Sequence, residues 1–277
     1  MTLRITTLTE NTAGRVGLLA EWGLSILVET DDMSVLLDAG PGPSAAANAD
    51  LMRVDLSRVS KVIISHGHTD HTGGLREILR RTGPVEVIAH PDVWAAKYGR
   101  RAGQPDRYIG IPFVREELES LGVSFNLSRE PVWLGDRMVT TGEIPMTTEY
   151  EEIDADLFVR DGKGVRPDDL WDDRALVVKG AEGLVVILGC AHRGIINTLR
   201  HACELTGEDR VYAVIGGTHL LRASEERVLL TVSALQEFGV QRVGVSHCTS
   251  LPASVIMARE LGDIFFFNNT GTRLDLE

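Results

Sequence analysis

The chain has few cysteines, no long apolar run and no basic tract, and each scarcity removes a class of protein. Three cysteines in 277 residues, Cys190, Cys203 and Cys248, cannot all pair and show no C-x-x-C spacing, so no disulfide framework is expected. No stretch approaches the roughly 18 apolar residues of a membrane span, and MTLRITTLTENTAG has no apolar core of signal-peptide length. A cytoplasmic location is therefore expected. With a formal charge of −12 and no Lys/Arg-rich run, neither nucleic acid nor an anionic membrane surface is expected as a partner. A Gly-rich phosphate loop and a G-x-S-x-G elbow are also missing.

What is present is ordinary for a globular chain: 43% hydrophobic and 25% charged residues, enough to bury a substantial core. No segment reads as a linker, so residues 1–277 are expected to form one domain. Residues 24–29 (LSILVE) and 34–38 (SVLLD) predict a hairpin turning at Asp31-Asp32. Residues 51–60 predict a short helix, and PVEVIAH a strand ending at His90 before a helix over 92–98. Residues 99–115 (GRRAGQPDRYIGIPFVR) predict a long loop, a lid or a disordered segment. Its Arg100, Arg101, Arg107 and Tyr108 could present positive charge to an anionic substrate. The acidic stretch 149–156 predicts a solvated face. Short strands follow in VSFNL, PVWLG and RMVTTG, then two apolar strands around Glu182-Gly183. From there the pattern alternates: helix 195–205, strand VYAVIGG, helix 224–238, strand RVGVSH, helix 253–261, strand DIFFFN. Strands alternating with helices predict sheets covered by helices, an α/β or α+β protein.

The chemistry is concentrated in residues 62–75, VIISHGHTDHTGGL. A β-branched run predicts a buried strand, and the polar residues begin where it must stop. His66 and His68, two apart, share a side while the backbone stays extended. Asp70 and His71 follow on the turn, and Thr72 can cap a helix running to about Arg81. Gly73 and Gly74 let that helix start close against the turn. Three imidazoles and a carboxylate within six residues suit one or two transition-metal ions, Zn²⁺ first, with Fe²⁺ or Mn²⁺ as alternatives.

One such turn cannot close two sites, so further ligands must come from elsewhere. Three histidines each follow an apolar strand: His192 after LVVILGCA, His219 after VYAVIGGT and His247 after RVGVS. Strand ends are where sheets covered by helices place their chemistry.

The H-x-H-x-D-H stretch resembles the signature of the metallo-β-lactamase superfamily. GCAHRGIINTL, IGGTHL, SHCTS, AEWGLS and LLDAGPG are similar to the branch that includes 7,8-dihydropterin-6-methyl-(ribofuranosyl)aminobenzene-phosphate synthase-like proteins. The resemblance spans about residues 10–272. It implies a four-layer αββα metallo-β-lactamase-type sandwich, and a role for Asp38 in orienting the metal turn without binding metal. Trp22 stands where the branch usually carries His. No aspartate ends the strands before His192, His219 or His247, where the superfamily has a metal-bridging Asp.

These readings assign His66, His68 and His192 to one ion and Asp70, His71 and His247 to a second. Asp70 is also a candidate proton acceptor in turnover. His219 is a catalytic candidate, replacing the missing bridge or touching substrate, and Glu143 is a weaker candidate ligand. His90 is expected to be structural or at the rim. Cys190 and Cys248 are expected to be small buried residues. The function expected is a metal-dependent hydrolase acting with metal-activated water on a small, anionic molecule; oligomeric state is left open. The alternatives are the pterin-condensing reaction of the named relatives, a redox di-iron protein and a non-catalytic binding protein.

Overall fold

Strands that are apolar at every position must bury both faces, and the chain does this by stacking two sheets and covering each with helices. The computed structural model describes residues 2–162 and 164–276. One seven-stranded sheet runs in the order Arg273–Leu276, Leu3–Thr9, Ser25–Glu29, Ser34–Leu37, Val59–Ile63, Glu86–Ala89, Ser124–Leu127. The other runs Phe265–Phe267, Arg242–Ser246, Val211–Gly217, Leu184–Leu188, Ala175–Lys179, Met138–Thr140, Val132–Leu134. A smaller sheet joins Gly164–Pro167, Leu157–Asp161, Lys97–Gly99 and Arg107–Tyr108.

The period of two along each strand sorts the side chains into layers. Ile26, Val28, Val35, Leu37, Ile63 and Ile88 meet Leu176, Val178, Val185, Ile187, Ala213 and Ile215 between the sheets. Their neighbours Leu27, Leu36, Val62 and Val87 point outward, under the helices Ser44–Leu51 and Leu75–Thr82. Val177, Val186, Val214 and Val243 do the same on the far side, under Ile195–Thr206, Glu225–Glu237 and Leu251–Leu261. The result is the expected αββα sandwich.

Half of each sheet is parallel. Ser34–Leu37, Val59–Ile63, Glu86–Ala89 and Ser124–Leu127 run one way in the first sheet. Leu184–Leu188, Val211–Gly217, Arg242–Ser246 and Phe265–Phe267 do so in the second. Asp38, the His66 turn and His90 therefore follow neighbouring strand ends, and His192, His219 and His247 follow three others.

Several local expectations are corrected. The helix expected over 51–60 is instead Ser44–Leu51, begun at Pro43, followed by a single 3-10 turn at Leu56–Arg58. The helix expected over 92–98 is a 3-10 turn, Pro91–Trp94, and a strand, Lys97–Gly99. Residues 99–115 are not a structureless loop: Arg107–Tyr108 pairs with Lys97–Gly99. After the metal turn the helix starts early, at Thr69–Thr72, breaks at Gly73-Gly74 and resumes as Leu75–Thr82. Thr72 does not cap it; its hydroxyl donates back to the His68 carbonyl at 2.9 Å. The acidic stretch is only partly a solvated face: Glu149 and Glu152 are exposed, whereas Asp154 and Asp156 are half-buried. Glu151 is buried and accepts the amide N–H groups of Ile196 and Asn197, satisfying orphan donors at the start of Ile195–Thr206.

Candidate metal centre

The His66 turn fits between the sheets because glycines leave room for backbone. A Cβ at Gly74 would lie 2.1 Å from the Ala39 carbonyl oxygen, one at Gly73 2.1 Å from that of Pro41, and one at Gly67 2.3 Å from that of Val93. Gly189 plays the same part opposite, where a Cβ would fall 2.2 Å from Ser65 Oγ. Four of the residues at this edge, Asp38, Ala191, His219 and His247, hold positive φ angles of 50 to 60° without being glycine. Strain of this kind persists only where the surroundings enforce it, and it gathers at functional sites.

Buried acceptors dictate which ring nitrogens carry hydrogen. Asp38 Oδ1 accepts the Ser65 amide at 2.8 Å and Oδ2 accepts the Ser65 hydroxyl at 2.7 Å. With its hydrogen so committed, Ser65 Oγ must accept from His66 Nδ1 at 2.9 Å. Asp38 Oδ2 also takes the hydrogen of His71 Nδ1 at 2.6 Å. Asn11 donates its Nδ2 hydrogen to the His247 carbonyl, so its Oδ1 accepts from His247 Nδ1 at 3.0 Å. Each neutral ring is thus left with a bare Nε2.

Those nitrogens face further donor atoms of the cluster. His71 Nε2 is 3.3 Å from His247 Nε2, which is 3.4 Å from Asp70 Oδ2. His66 Nε2 is 3.2 Å from His192 Nε2 and 3.0 Å from His68 Nδ1. Converging lone pairs repel unless a cation sits among them. Two nitrogens each about 2.0–2.1 Å from one zinc ion stand roughly 3.3 Å apart, so the spacing fits the ion. His66, His68 and His192 form one such group, and Asp70, His71 and His247 another, as the sequence suggested.

The electrostatics divide the rings. Burial disfavours a charged His71, but Asp38 outweighs it and raises the imidazole to about 9, so without an ion this ring keeps its Nε2 hydrogen and must release it to bind one. Burial lowers His68 to about 3 and drives His66 and His192 well below the ordinary value. Burial also opposes ionisation of Asp70, yet His247 and His71 hold it well below the usual carboxylate range. Neutral imidazoles and ionised carboxylates are the forms that bind metal.

The remaining candidates separate. His219 sits at the edge of the cluster, its ring centroid 3.9 Å from that of His192, its Nε2 3.1 Å from Asp154 Oδ2 and its Nδ1 buried without a partner. Against burial, Asp154 raises it to about 10. Glu143 is not among the metal-holding groups of the described residues; it pairs with His90 Nε2 at 2.9 Å and Arg129 at 2.7 Å. His90 is structural, buried, with Nδ1 accepting the Asp92 amide. Cys190 is buried as expected, and its Sγ also lies 3.1 Å from His71 Nε2, inside the donor cluster.

Sequence reasoning missed several supports. Asp172 Oδ2 accepts the Gly67 amide at 2.8 Å, and Asp172 Oδ1 accepts from the fully buried Lys97 at 2.9 Å. Glu10 accepts the His247 amide at 3.2 Å. A buried Lys flanked in space by Asp168 and Asp172, some 70 residues on, leaves no local pattern. Cys190 did leave one, since it ends an apolar strand as the three histidines do.

The cluster opens into a cavity of about 600 Å³. Glu21, Asp154 and Asp156 line it, but each is engaged, by the Ser44 amide, His219 and Arg222. Arg100 pairs with Asp106. Arg101 and Arg107, also on the wall, make no ion pair among the described residues and leave the mouth with uncommitted positive charge. Trp22 stands 53% exposed beside them, edge-on to His247.

The chain is similar to known proteins along most of its length. The family model described as the metallo-beta-lactamase superfamily matches residues 23–187. A Methanocaldococcus jannaschii protein named 7,8-dihydropterin-6-methyl-4-(beta-D-ribofuranosyl)-aminobenzene-5'-phosphate synthase is 29% identical, over 95% of this chain and 93% of its own. A crystal structure described as a metal-dependent hydrolase of the beta-lactamase superfamily is 31% identical, covers 99% of both chains and superposes with a TM-score of 0.85. Zn(2+)-bound PqqB from Methylobacterium extorquens, 12% identical over 99% of this chain and 100% of its own, shares the fold at a TM-score of 0.58.

Proposed function

Because the chain belongs to the metallo-β-lactamase superfamily, we propose that it is a metal-dependent hydrolase of a small anionic molecule. The observation that carries this reading is the set of inward-facing lone pairs at the floor of a cavity whose wall holds two uncommitted arginines. His66, His68 and His192 would hold one transition-metal ion and Asp70, His71 and His247 a second. Imidazole-rich ligation favours Zn²⁺, with Fe²⁺ or Mn²⁺ as alternatives. The ions, when bound, supply Lewis acidity that makes water nucleophilic near neutral pH and polarises the bond to be cleaved.

The protein's own residues do the rest. Asp38, Ser65 and Asn11 orient the rings of His66, His71 and His247, with each Nε2 turned toward the cluster. Asp70, half-buried on the cavity wall, is assigned as the proton acceptor in turnover beside its role as a ligand. His219 presents a buried, unpartnered Nδ1 beside His192 and is assigned to substrate contact. Arg101 and Arg107 hold the anionic group, and Trp22 offers a flat apolar surface.

The test is reconstitution. Chelator-stripped protein is reloaded with Zn²⁺, Mn²⁺ or Fe²⁺ and offered phosphodiester, lactone and thioester substrates; metal-dependent turnover of an anionic member is expected. Protein that retains no transition metal, or turns over nothing once loaded, overturns the reading. The relative named as a synthase supports a second reading, condensation of a dihydropterin with an aminobenzene ribofuranosyl phosphate. Incubation with both substrates discriminates: a joined product establishes it, and hydrolysis alone rejects it.

A further inference from the structure

Six candidate ligands serve two ions, yet only Asp70 among them is an anion. Two divalent cations bring four positive charges, and no aspartate ends the strands that carry His192, His219 and His247. An anionic donor is wanting at the centre of the cluster.

Cys190 occupies that place. Its Sγ lies within 4.8 Å of ring nitrogens of His66, His71, His192, His219 and His247, so it stands between the two ligand groups. No other donor of the described residues is shared so widely. It follows the strand Leu184–Leu188, and Gly189 lets that strand end press against Ser65, which brings the sulfur under the His66 turn. Its side-chain contact to the cluster is His71 Nε2 at 3.1 Å. Cys248 is held differently. Its sulfur shares a donor group with Cys190 and His247 only, and it is engaged by backbone, accepting the His219 amide at 3.3 Å and donating to the Cys190 carbonyl at 3.5 Å.

We propose that Cys190 is a metal ligand, its thiolate shared between the two ion positions and supplying the central negative charge. On metal binding the S–H bond breaks, the electron pair stays on sulfur to form the metal–sulfur bonds, and the proton leaves to solvent. The inference rests on the metal-binding part of the proposed function and not on which reaction follows.

Cobalt(II) is the probe, because thiolate ligation gives an intense near-ultraviolet charge-transfer band that nitrogen and oxygen ligands do not. Full-length protein loaded with Co²⁺ is expected to show the band and to bind two ions. Cys190→Ser should lose the band and one ion, Cys190→Asp should recover the second ion without the band, and Cys248→Ser should keep both. Zinc X-ray absorption of the unmutated protein, expected to show a sulfur scatterer, keeps the test decisive if Cys190→Ser does not fold. Cobalt bound without the band, or a band that survives in Cys190→Ser and disappears in Cys248→Ser, overturns the assignment of Cys190 alone. Failure to bind cobalt or zinc at all overturns the metal reading with it.

Discussion

Asp38 Oδ2 lies 2.6 Å from His71 Nδ1, with both side chains fully buried. The carboxylate that ends one strand thus holds the imidazole of the neighbouring strand's turn, and through Ser65 it also orients His66. Asp38→Asn keeps the volume but turns an N–H₂ group toward one of these donors. Metal affinity is expected to fall by roughly 10- to 100-fold with the fold retained. Competition with a chromophoric chelator measures it, and an unchanged affinity would show that Asp38 merely caps its loop.

Lys97 stands between Asp168 and Asp172 with all three buried. Lys97→Met strands two carboxylates away from water. A loss of about 3–5 kcal/mol is expected in urea unfolding, recovered in part by adding Asp172→Asn, whose carbonyl still accepts the Gly67 amide. A loss under about 1 kcal/mol would mean the carboxylates find other partners.

Gly74→Ala tests packing against backbone propensity. The residue has ordinary helical angles, φ −82° and ψ −5°, so alanine fits its conformation. Its Cβ would nevertheless fall 2.1 Å from the Ala39 oxygen and 2.6 Å from that of Gly42. Overlap wins, and a cost of about 1–3 kcal/mol is expected in thermal unfolding. A stabilised variant contradicts the close approach.

Asp173 sets a pH dependence. Its Oδ2 accepts the Arg193 amide at 3.0 Å, its Oδ1 is buried without a partner, and burial pushes the carboxyl from 3.8 to about 7. The folded state therefore keeps a proton that the unfolded chain releases. The stability this contributes is fully present below about pH 4 and is lost as pH rises through about 7. Asp173→Asn abolishes that loss, so its unfolding free energy should gain on the unmutated protein by up to about 4 kcal/mol across the interval. Parallel curves for the two proteins refute the assignment.

Arg101 and Arg107 line the cavity without an ion pair among the described residues. If each holds the anionic group of the substrate, removing one costs a charged hydrogen bond of about 1.5–3 kcal/mol. Arg107→Ala should then raise KM roughly 10- to 100-fold with little change in kcat. A fall in kcat at constant KM would place the residue at the reacting bond instead.

Much of the molecule was legible from local patterns. Apolar runs ending in His192, His219 and His247 marked strand ends, since a strand buried on both faces must be apolar throughout and turn polar where it leaves the sheet. The hairpin of Ser25–Glu29 and Ser34–Leu37 and the late alternation of helix and strand were found for the same reason. Weak signals failed: Asp55 accepts the Ser57 amide and caps only the 3-10 turn Leu56–Arg58, a short element that an apolar pattern does not separate from a helix, and Glu151 reads like any surface acid although it lies against the start of a helix.

By itself the sequence determined the H-x-H-x-D-H turn, its strand and the glycines that let it pack, because these depend on residues within reach of one another along the chain. Only the tertiary structure decided that His66 meets His192, that His71 meets His247, and that Cys190 lies among them. It also excluded Glu143, which lies with His90 and Arg129. Pairs 119 to 176 residues apart are joined by sheet register and strand direction, and a side chain's neighbours across a sandwich are set by which strands stack, a quantity no local window contains.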